Sequence, residues 1–296
     1  MQALLQGSLV ALVTPMVSNH EVDYDALEKL IDWHIKKGTH GIVSVGTTGE
    51  SATLNLKEHI EVISHTSKYV NKRIPVIAGT GANSTQEAIE LTQESKNLGA
   101  DYSLLVTPYY NKPTQKGLLK HFEAIADAVE IKQILYNVPS RTSCDLLPTT
   151  IEYLSEHKNI IGIKEAVDTE NRIKDLIKIS KSSNNFVVFS GDDPTFCNSL
   201  NLGCKGVISV VANIIPRQIS EICDFALSGS INHANTINDV YSNLYRMMFV
   251  ESNPIPVKWA LFKMKLINNS IRLPLTELDE TFQDELLSEL IKLEII

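Results

Sequence analysis

The sequence predicts an α/β fold in which eight parallel strands close into a (β/α)8 TIM barrel, followed by a C-terminal three-helix appendage. Short β-rich apolar runs alternate with amphipathic helical stretches along most of the chain. The runs are almost continuously apolar, the pattern of a parallel sheet covered on its outer face. A length of 296 residues suits one barrel of roughly 250 residues with a small addition.

Each element has its own signal. Residues 8–15 (SLVALVTP) read as the first strand, and residues 25–37 as a helix with Leu27, Leu30, Ile31 and His34 on one side. Residues 41–46 (GIVSVG) are a second strand, with a helix over 56–69 behind them. Residues 74–78 (IPVIA) precede a helix whose N-cap is Ser84, with Glu87 at the capping-box position. Strands over 102–107, 133–137, 160–164, 186–190 and 206–210 follow, with helical patterns at 118–128, 148–157, 172–180 and 195–202. An open doubly wound sheet is the competing architecture, but its dinucleotide fingerprint is incomplete. After Gly79-Thr80-Gly81 the third glycine is replaced by Ser84. Beyond residue 231 the strand signal stops, and 231–250, 256–267 and 280–293 read as helices. The expected division is a catalytic barrel over 1–230 and a helical subdomain over 231–296 packed on it.

Composition removes several functional classes. The chain is 43% hydrophobic and 21% charged, which excludes a disordered or fibrous protein. A formal net charge of -8 without a basic block argues against nucleic acid as a partner. The four cysteines have no CxxC spacing and read as free thiols of a reducing compartment. The apolar start MQALLQGSLVALVTP lacks a basic leader region and reads as a strand, and no apolar run is long enough for a membrane span. A cytoplasmic enzyme is expected. His34, His40, His65, His121, His157 and His233 form no metal-like set. Asp192-Asp193 lacks further regularly spaced oxygen ligands, and no P-loop is present. Neither metal nor organic cofactor is expected.

In such a barrel, reactive groups gather where strands end. Lys164 closes the strand IIGIK, so its stem starts in a buried strand, and desolvation lowers an amine's pKa. A neutral amine attacks ketones and forms imines. A lysine there can equally snorkel to solvent or pair with Glu165 or Asp192. The turn Thr47-Thr48-Gly49-Glu50-Ser51 offers backbone N–H groups to a carboxylate, or it is a plain strand-to-helix turn. Tyr136 ends QILYN, either as a proton relay or as a satisfied core tyrosine. Arg141 can grip a carboxylate or simply face solvent.

These residues stand in a set of strings: GTTGES (46–51), TPYYNKPTQKGL (107–118), YNVPSRT (136–142), GIKEA (162–166), SGDD (190–193), GVISVVAN (206–213) and NPIPVKWA (253–260). In that order they resemble the dihydrodipicolinate synthase family over nearly the whole chain. The resemblance implies a class I aldolase-type lyase that needs no cofactor. Lys164 would form an imine with pyruvate, with Thr47, Thr48, Gly191 and Ile208 around it. Tyr136, hydrogen-bonded to Thr48 and through it to Tyr110, would relay protons. Arg141 would bind the carboxylate of L-aspartate 4-semialdehyde, and the product would be 4-hydroxy-tetrahydrodipicolinate on the lysine (diaminopimelate) route. Tyr110 would cross into a neighbouring subunit, in a homotetramer built as a dimer of dimers. A lysine feedback site would comprise Ser51, Ala52, His59, Asn83, Glu87 and Tyr109. Leu56 departs from the polar or basic residue of some lysine-sensitive members. Sibling sugar-acid aldolases and N-acetylneuraminate lyase share the barrel and the lysine, but the Pro139-Ser140-Arg141-Thr142 loop favours a short amino-acid aldehyde. A barrel without activity, serving only to bind, is the alternative from another class, yet each expected catalytic position is filled.

Overall fold

The computed structural model describes residues 5–183 and 185–296. The first four residues of the N-terminal apolar stretch lie outside the described residues. Eight parallel strands close on themselves in sequence order, each paired with its neighbours and the last with the first. In chain order the barrel comprises β1 (Gly7–Ala11), α1 (Tyr24–Lys36), β2 (Gly41–Ser44), α2 (Leu56–Val70), β3 (Val76–Gly79) and α3 (Thr85–Asn97). β4 (Tyr102–Val106), α4 (Gln115–Ala128), β5 (Lys132–Asn137), the single turn α5 (Pro139–Thr142), α6 (Pro148–Leu154) and β6 (Ile160–Glu165) follow. The set ends with α7 (Glu170–Ser182), β7 (Val187–Ser190), α8 (Phe196–Leu202), β8 (Gly206–Ser209), a 3-10 turn at Val211–Asn213 and α9 (Pro216–Leu227).

The twofold alternation of a strand separates two apolar layers. Leu9, Ala11, Val43, Ile77, Leu104, Ile134, Phe189 and Ile208 fill the barrel interior. Val10, Ile42, Ala78, Leu105, Leu135, Ile163, Val188 and Val207 face the helices. Both faces are buried, which is why the strands read as continuous apolar runs. Closure between β1 and β8 brings backbones very close: a Cβ on Gly206 would lie 2.2 Å from the Gly7 carbonyl oxygen. Only glycine fits there.

Helix ends follow side-chain chemistry. Ser84 caps α3 by accepting from Glu87 N at 3.4 Å, but among the described residues Glu87 does not return the bond. The reciprocal box forms one helix earlier, where Asn55 and Glu58 exchange bonds of 3.0 Å at the start of α2.

The C-terminal region has four helices rather than the expected three: α10 (Ile231–Val240), α11 (Ser242–Met247), α12 (Ile255–Lys263) and α13 (Glu280–Lys292). The predicted 231–250 helix breaks at Tyr241, which leaves α-helical geometry with φ -101° and ψ 7°. Helix α12 is buried from Ile255 to Leu261. A helix buried all round has no polar stripe to mark its ends, and α12 stops at Lys263, short of the expected 267. The Asn253–Pro254 and Leu273–Pro274 peptides are cis. Among the described residues no helix is long and apolar enough to cross a membrane.

Candidate active site

The C-terminal ends of the strands surround a cavity of about 250 Å³ lined by Thr47, Thr48, Tyr136, Arg141, Lys164 and Gly191. Thus six of the residues singled out from the sequence, scattered from position 47 to 191, meet in one place. Strand geometry brings them there. Ile163 belongs to the outer layer, so Lys164 points inward, and Tyr136 is its register partner on β5. The Lys164 ammonium lies over the Tyr136 ring, 4.3 Å from the centroid.

Lys164 is 6% exposed, which excludes the snorkelling alternative. Burial pushes its pKa down to about 8; Asp193 opposes this and Arg141 adds to it. Pairing with Glu165 is excluded too. Glu165 faces the helices, where Asn137 donates at 3.0 and 3.1 Å, Val167 N at 2.8 Å, and Arg172 lies 3.6 Å away. Burial raises the Glu165 carboxyl to about 7 all the same. The room for the lysine stem comes from Gly191, where a Cβ would sit 3.0 Å from Lys164 Cε and 3.1 Å from its Cγ. Tyr136 is buried, and that burial raises its phenol to about 12, against a lowering by Arg141. At neutral pH it is a proton donor.

The turn after β2 carries an anion-binding pattern. Gly49 N and Ser51 N donate to Gly46 O at 3.0 and 3.3 Å, Glu50 N donates to Thr47 O at 3.1 Å, and the Thr14 hydroxyl donates to Gly49 O at 2.7 Å. Among the described residues the Thr47 and Thr48 N–H groups have no such partner. They stand beside the cavity as two available donors.

Three further placements bear on the site. Ile208 lies in the barrel interior, paired with Leu9 on β1, and it is Val210, two residues on, that lines the cavity. Tyr110 is 91% exposed and stays out of its own chain's cavity. The Thr48 hydroxyl accepts from Asn253 Nδ2 at 3.0 Å.

Sequence reasoning missed Asn253, Asp193 and a buried ion pair. Asn253 stands in NPIPVKWA, a string noted without a role; it lines the cavity, and its carbonyl accepts from the Arg141 guanidinium at 3.5 Å. Asp193 is buried, with its Oδ2 accepting from Val210 N and Val211 N at 2.9 and 3.0 Å. Burial raises that carboxyl to about 6, with a bond from Ser209 opposing. Lys258 of α12 is paired with Glu50, and both are buried. Lys258 also donates to Thr14 O at 3.2 Å, while Arg272 N donates to the other Glu50 oxygen at 3.2 Å. Nothing in the spacing of positions 50, 258 and 272 announces this contact.

A second cavity of about 430 Å³ adjoins the first and shares Thr47, Arg141 and Asn253 with it. Ser51, Ala52, His59, Glu87 and Tyr109 line it, as does Leu56, which is 59% exposed. His59 Nε2 donates to Gly79 O at 2.8 Å, and burial lowers its pKa. Asn83 is not on this wall, but its Nδ2 donates to Tyr109 O at 3.4 Å. Burial and then Glu87 raise the Tyr109 phenol. Among the described residues no group of three or more His, Cys, Asp or Glu is placed to hold a metal ion.

Comparison with known proteins agrees with this geometry. The model of the dihydrodipicolinate synthetase family matches residues 4–293. The 4-hydroxy-tetrahydrodipicolinate synthase of Stutzerimonas stutzeri is 56% identical over 283 residues, 96% of each chain. A crystal structure of the chloride-inhibited dihydrodipicolinate synthase of Acinetobacter baumannii, complexed with pyruvate, superposes with a TM-score of 0.97 at 53% identity, covering 99% of this chain and 100% of that one. The enzyme of Cyanidioschyzon merolae, solved with lysine bound, superposes with a TM-score of 0.94 at 36% identity, covering 99% and 100%. The chain belongs to the dihydrodipicolinate synthetase family.

Proposed function

We propose that this protein is a 4-hydroxy-tetrahydrodipicolinate synthase that joins pyruvate to L-aspartate 4-semialdehyde through an imine on Lys164. The observation that carries the reading is a buried amine with a depressed pKa, set over a protonated phenol in a cavity with two available backbone donors.

The steps follow from the geometry. The pyruvate carboxylate docks on the N–H groups of Thr47 and Thr48. Neutral Lys164 attacks the ketone carbon, and Tyr136 supplies and recovers protons as the carbinolamine loses water. Loss of a methyl proton from the imine gives an enamine, whose carbon attacks the aldehyde of the second substrate while Arg141 holds that substrate's carboxylate. The amino group of the new adduct then attacks the imine carbon, closes the six-membered ring and releases Lys164. The imine itself is the electron sink, so the reaction runs without an organic cofactor or metal. The barrel over 1–230 supplies this chemistry, and the helices over 231–296 brace its rim. A cytoplasmic setting suits a reaction of this kind and a chain with four free thiols.

Turnover of pyruvate with L-aspartate 4-semialdehyde, coupled to a reductase that consumes the cyclic product, tests the reading. Robust turnover is expected. Capture of pyruvate on Lys164 without turnover of this pair would transfer the assignment to a sibling aldolase.

The pH dependence of capture is a separate expectation. The rate of pyruvate trapping by borohydride rises with pH, with a midpoint near 8, because only the neutral amine attacks. Arg141→Ala removes a positive charge that disfavours the ammonium, so the midpoint moves up. Asp193→Asn removes a negative charge that favours it, so the midpoint moves down. Measured midpoints that stay fixed in both variants contradict the electrostatic account.

Assembly and regulation extend the same reading. Tyr110, exposed with Tyr109 beside it, is suited to enter the site of a second copy and complete the relay in a dimer or dimer of dimers. Tyr110→Phe is expected to lower turnover about ten-fold or more, while pyruvate capture slows and survives. Unchanged turnover would remove Tyr110 from the relay. The second cavity is a fitting receptor for L-lysine, with Glu87 for its ammonium groups and Tyr109 for its carboxylate. Titration with L-lysine into the millimolar range lowers turnover on this reading.

A further inference from the structure

The Thr48 hydroxyl is held from a distant part of the chain. Asn253, buried at the start of α12, donates from Nδ2 to Thr48 Oγ1 at 3.0 Å. A hydroxyl that accepts one bond turns its own proton elsewhere. Tyr136 lines the same cavity as Thr48, and its oxygen is a candidate acceptor for that proton. The main-chain carbonyl of Asn253 also accepts from Arg141, so one residue touches both the relay and the carboxylate clamp. Among the described residues the Asn253 side chain makes its one hydrogen bond through Nδ2, and Oδ1 has no partner.

We infer that Asn253 is a positioning residue that fixes the direction of the proton relay, by keeping the Thr48 hydroxyl an acceptor from the amide and hence a donor into the cavity. This rests on the synthase reading above. The Thr48 proton is thereby left free for the Tyr136 oxygen when substrate fills the cavity. A phenolate formed transiently at Tyr136 during carbinolamine dehydration is stabilised, and the proton returns along the same path. No atom is gained or lost; only the donor order is set.

Asparagine and aspartate have nearly the same shape, and this makes the proposal testable. In Asn253→Asp an ionised carboxylate can only accept, so it draws the Thr48 proton toward itself and reverses the relay. In Asn253→Ala the hydroxyl is merely unrestrained. Turnover with pyruvate and L-aspartate 4-semialdehyde is therefore expected to fall about ten-fold in Asn253→Ala and about a hundred-fold in Asn253→Asp at neutral pH, mainly in kcat. A residue that served packing alone would show the opposite ranking.

The pH profile adds a readout that packing does not move. Protonation turns the new aspartic acid into a donor again, so Asn253→Asp regains activity as pH falls. A new negative charge that merely favoured the Lys164 ammonium would instead demand higher pH, because more alkaline solution would be needed to free the amine. Thr48→Val tests the link from the other end. In that background Asn253→Asp adds less than about a threefold further loss, because the hydroxyl it misdirects is absent. The inference is overturned if Asn253→Asp is milder than Asn253→Ala, if its activity recovers only with rising pH, or if its effect is undiminished beside Thr48→Val. An unaltered chain that fails to turn over this substrate pair overturns the synthase reading and this inference with it. Normal turnover by the unaltered chain confines any failure to the inference.

Discussion

Lys164→Ala abolishes turnover and all covalent capture of pyruvate, a loss on the order of 10⁴-fold or more, because no other group can stand in for the nucleophile. The residues lining the cavity include no second lysine, and their other side-chain cation is the guanidinium of Arg141, which is no nucleophile. Lys164→Arg is expected to be equally inactive although it retains a positive charge, which separates nucleophilic from electrostatic duty. Both variants should bind pyruvate noncovalently through the Thr47 and Thr48 N–H groups, so isothermal titration still detects weak binding. Residual turnover above a hundredth of normal in either variant would mean that the imine is not on the reaction path.

The second large effect is on stability. Lys258→Met leaves Glu50 buried, with the Arg272 N–H as its remaining partner, and removal of one member of a buried pair costs about 3–5 kcal/mol. For a chain of this size the thermal midpoint should fall by on the order of 10 °C. The double variant Glu50→Gln with Lys258→Met should recover much of that loss, because the uncompensated charge is gone. Turnover need not recover with it. Glu50 stands two residues after Thr48, and the Thr14–Gly49 bond lies beside the same pair, so the variant also loosens the turn that presents the Thr47 and Thr48 donors. Calorimetry and kinetics on the two variants check these effects separately. A midpoint unchanged in Lys258→Met would show that the pair contributes nothing.

The barrel was legible because its signal is local: each strand is a short apolar run and each helix an amphipathic one. Lys164 was legible for the same reason, since an ionisable residue closing the run IIGIK is conspicuous. Its environment was not, because the depressed pKa depends on burial and on Asp193 and Arg141, which the fold alone brings near. The clearest failures came from contacts across long stretches of chain. Asn253 and Thr48 are 205 residues apart, and Lys258 and Glu50 are 208 apart. Helix α12 carries no polar stripe to betray which side meets the barrel. The split of the expected 231–250 helix at Tyr241 likewise had no glycine or proline to mark it.

The most direct test of the central claim is mass spectrometry of the protein after incubation with pyruvate and borohydride. One reduced pyruvate per chain is expected, the ketone oxygen lost as water and two hydrogens gained, on the peptide that contains Lys164. An unmodified protein, or a modification on any other lysine, would contradict it.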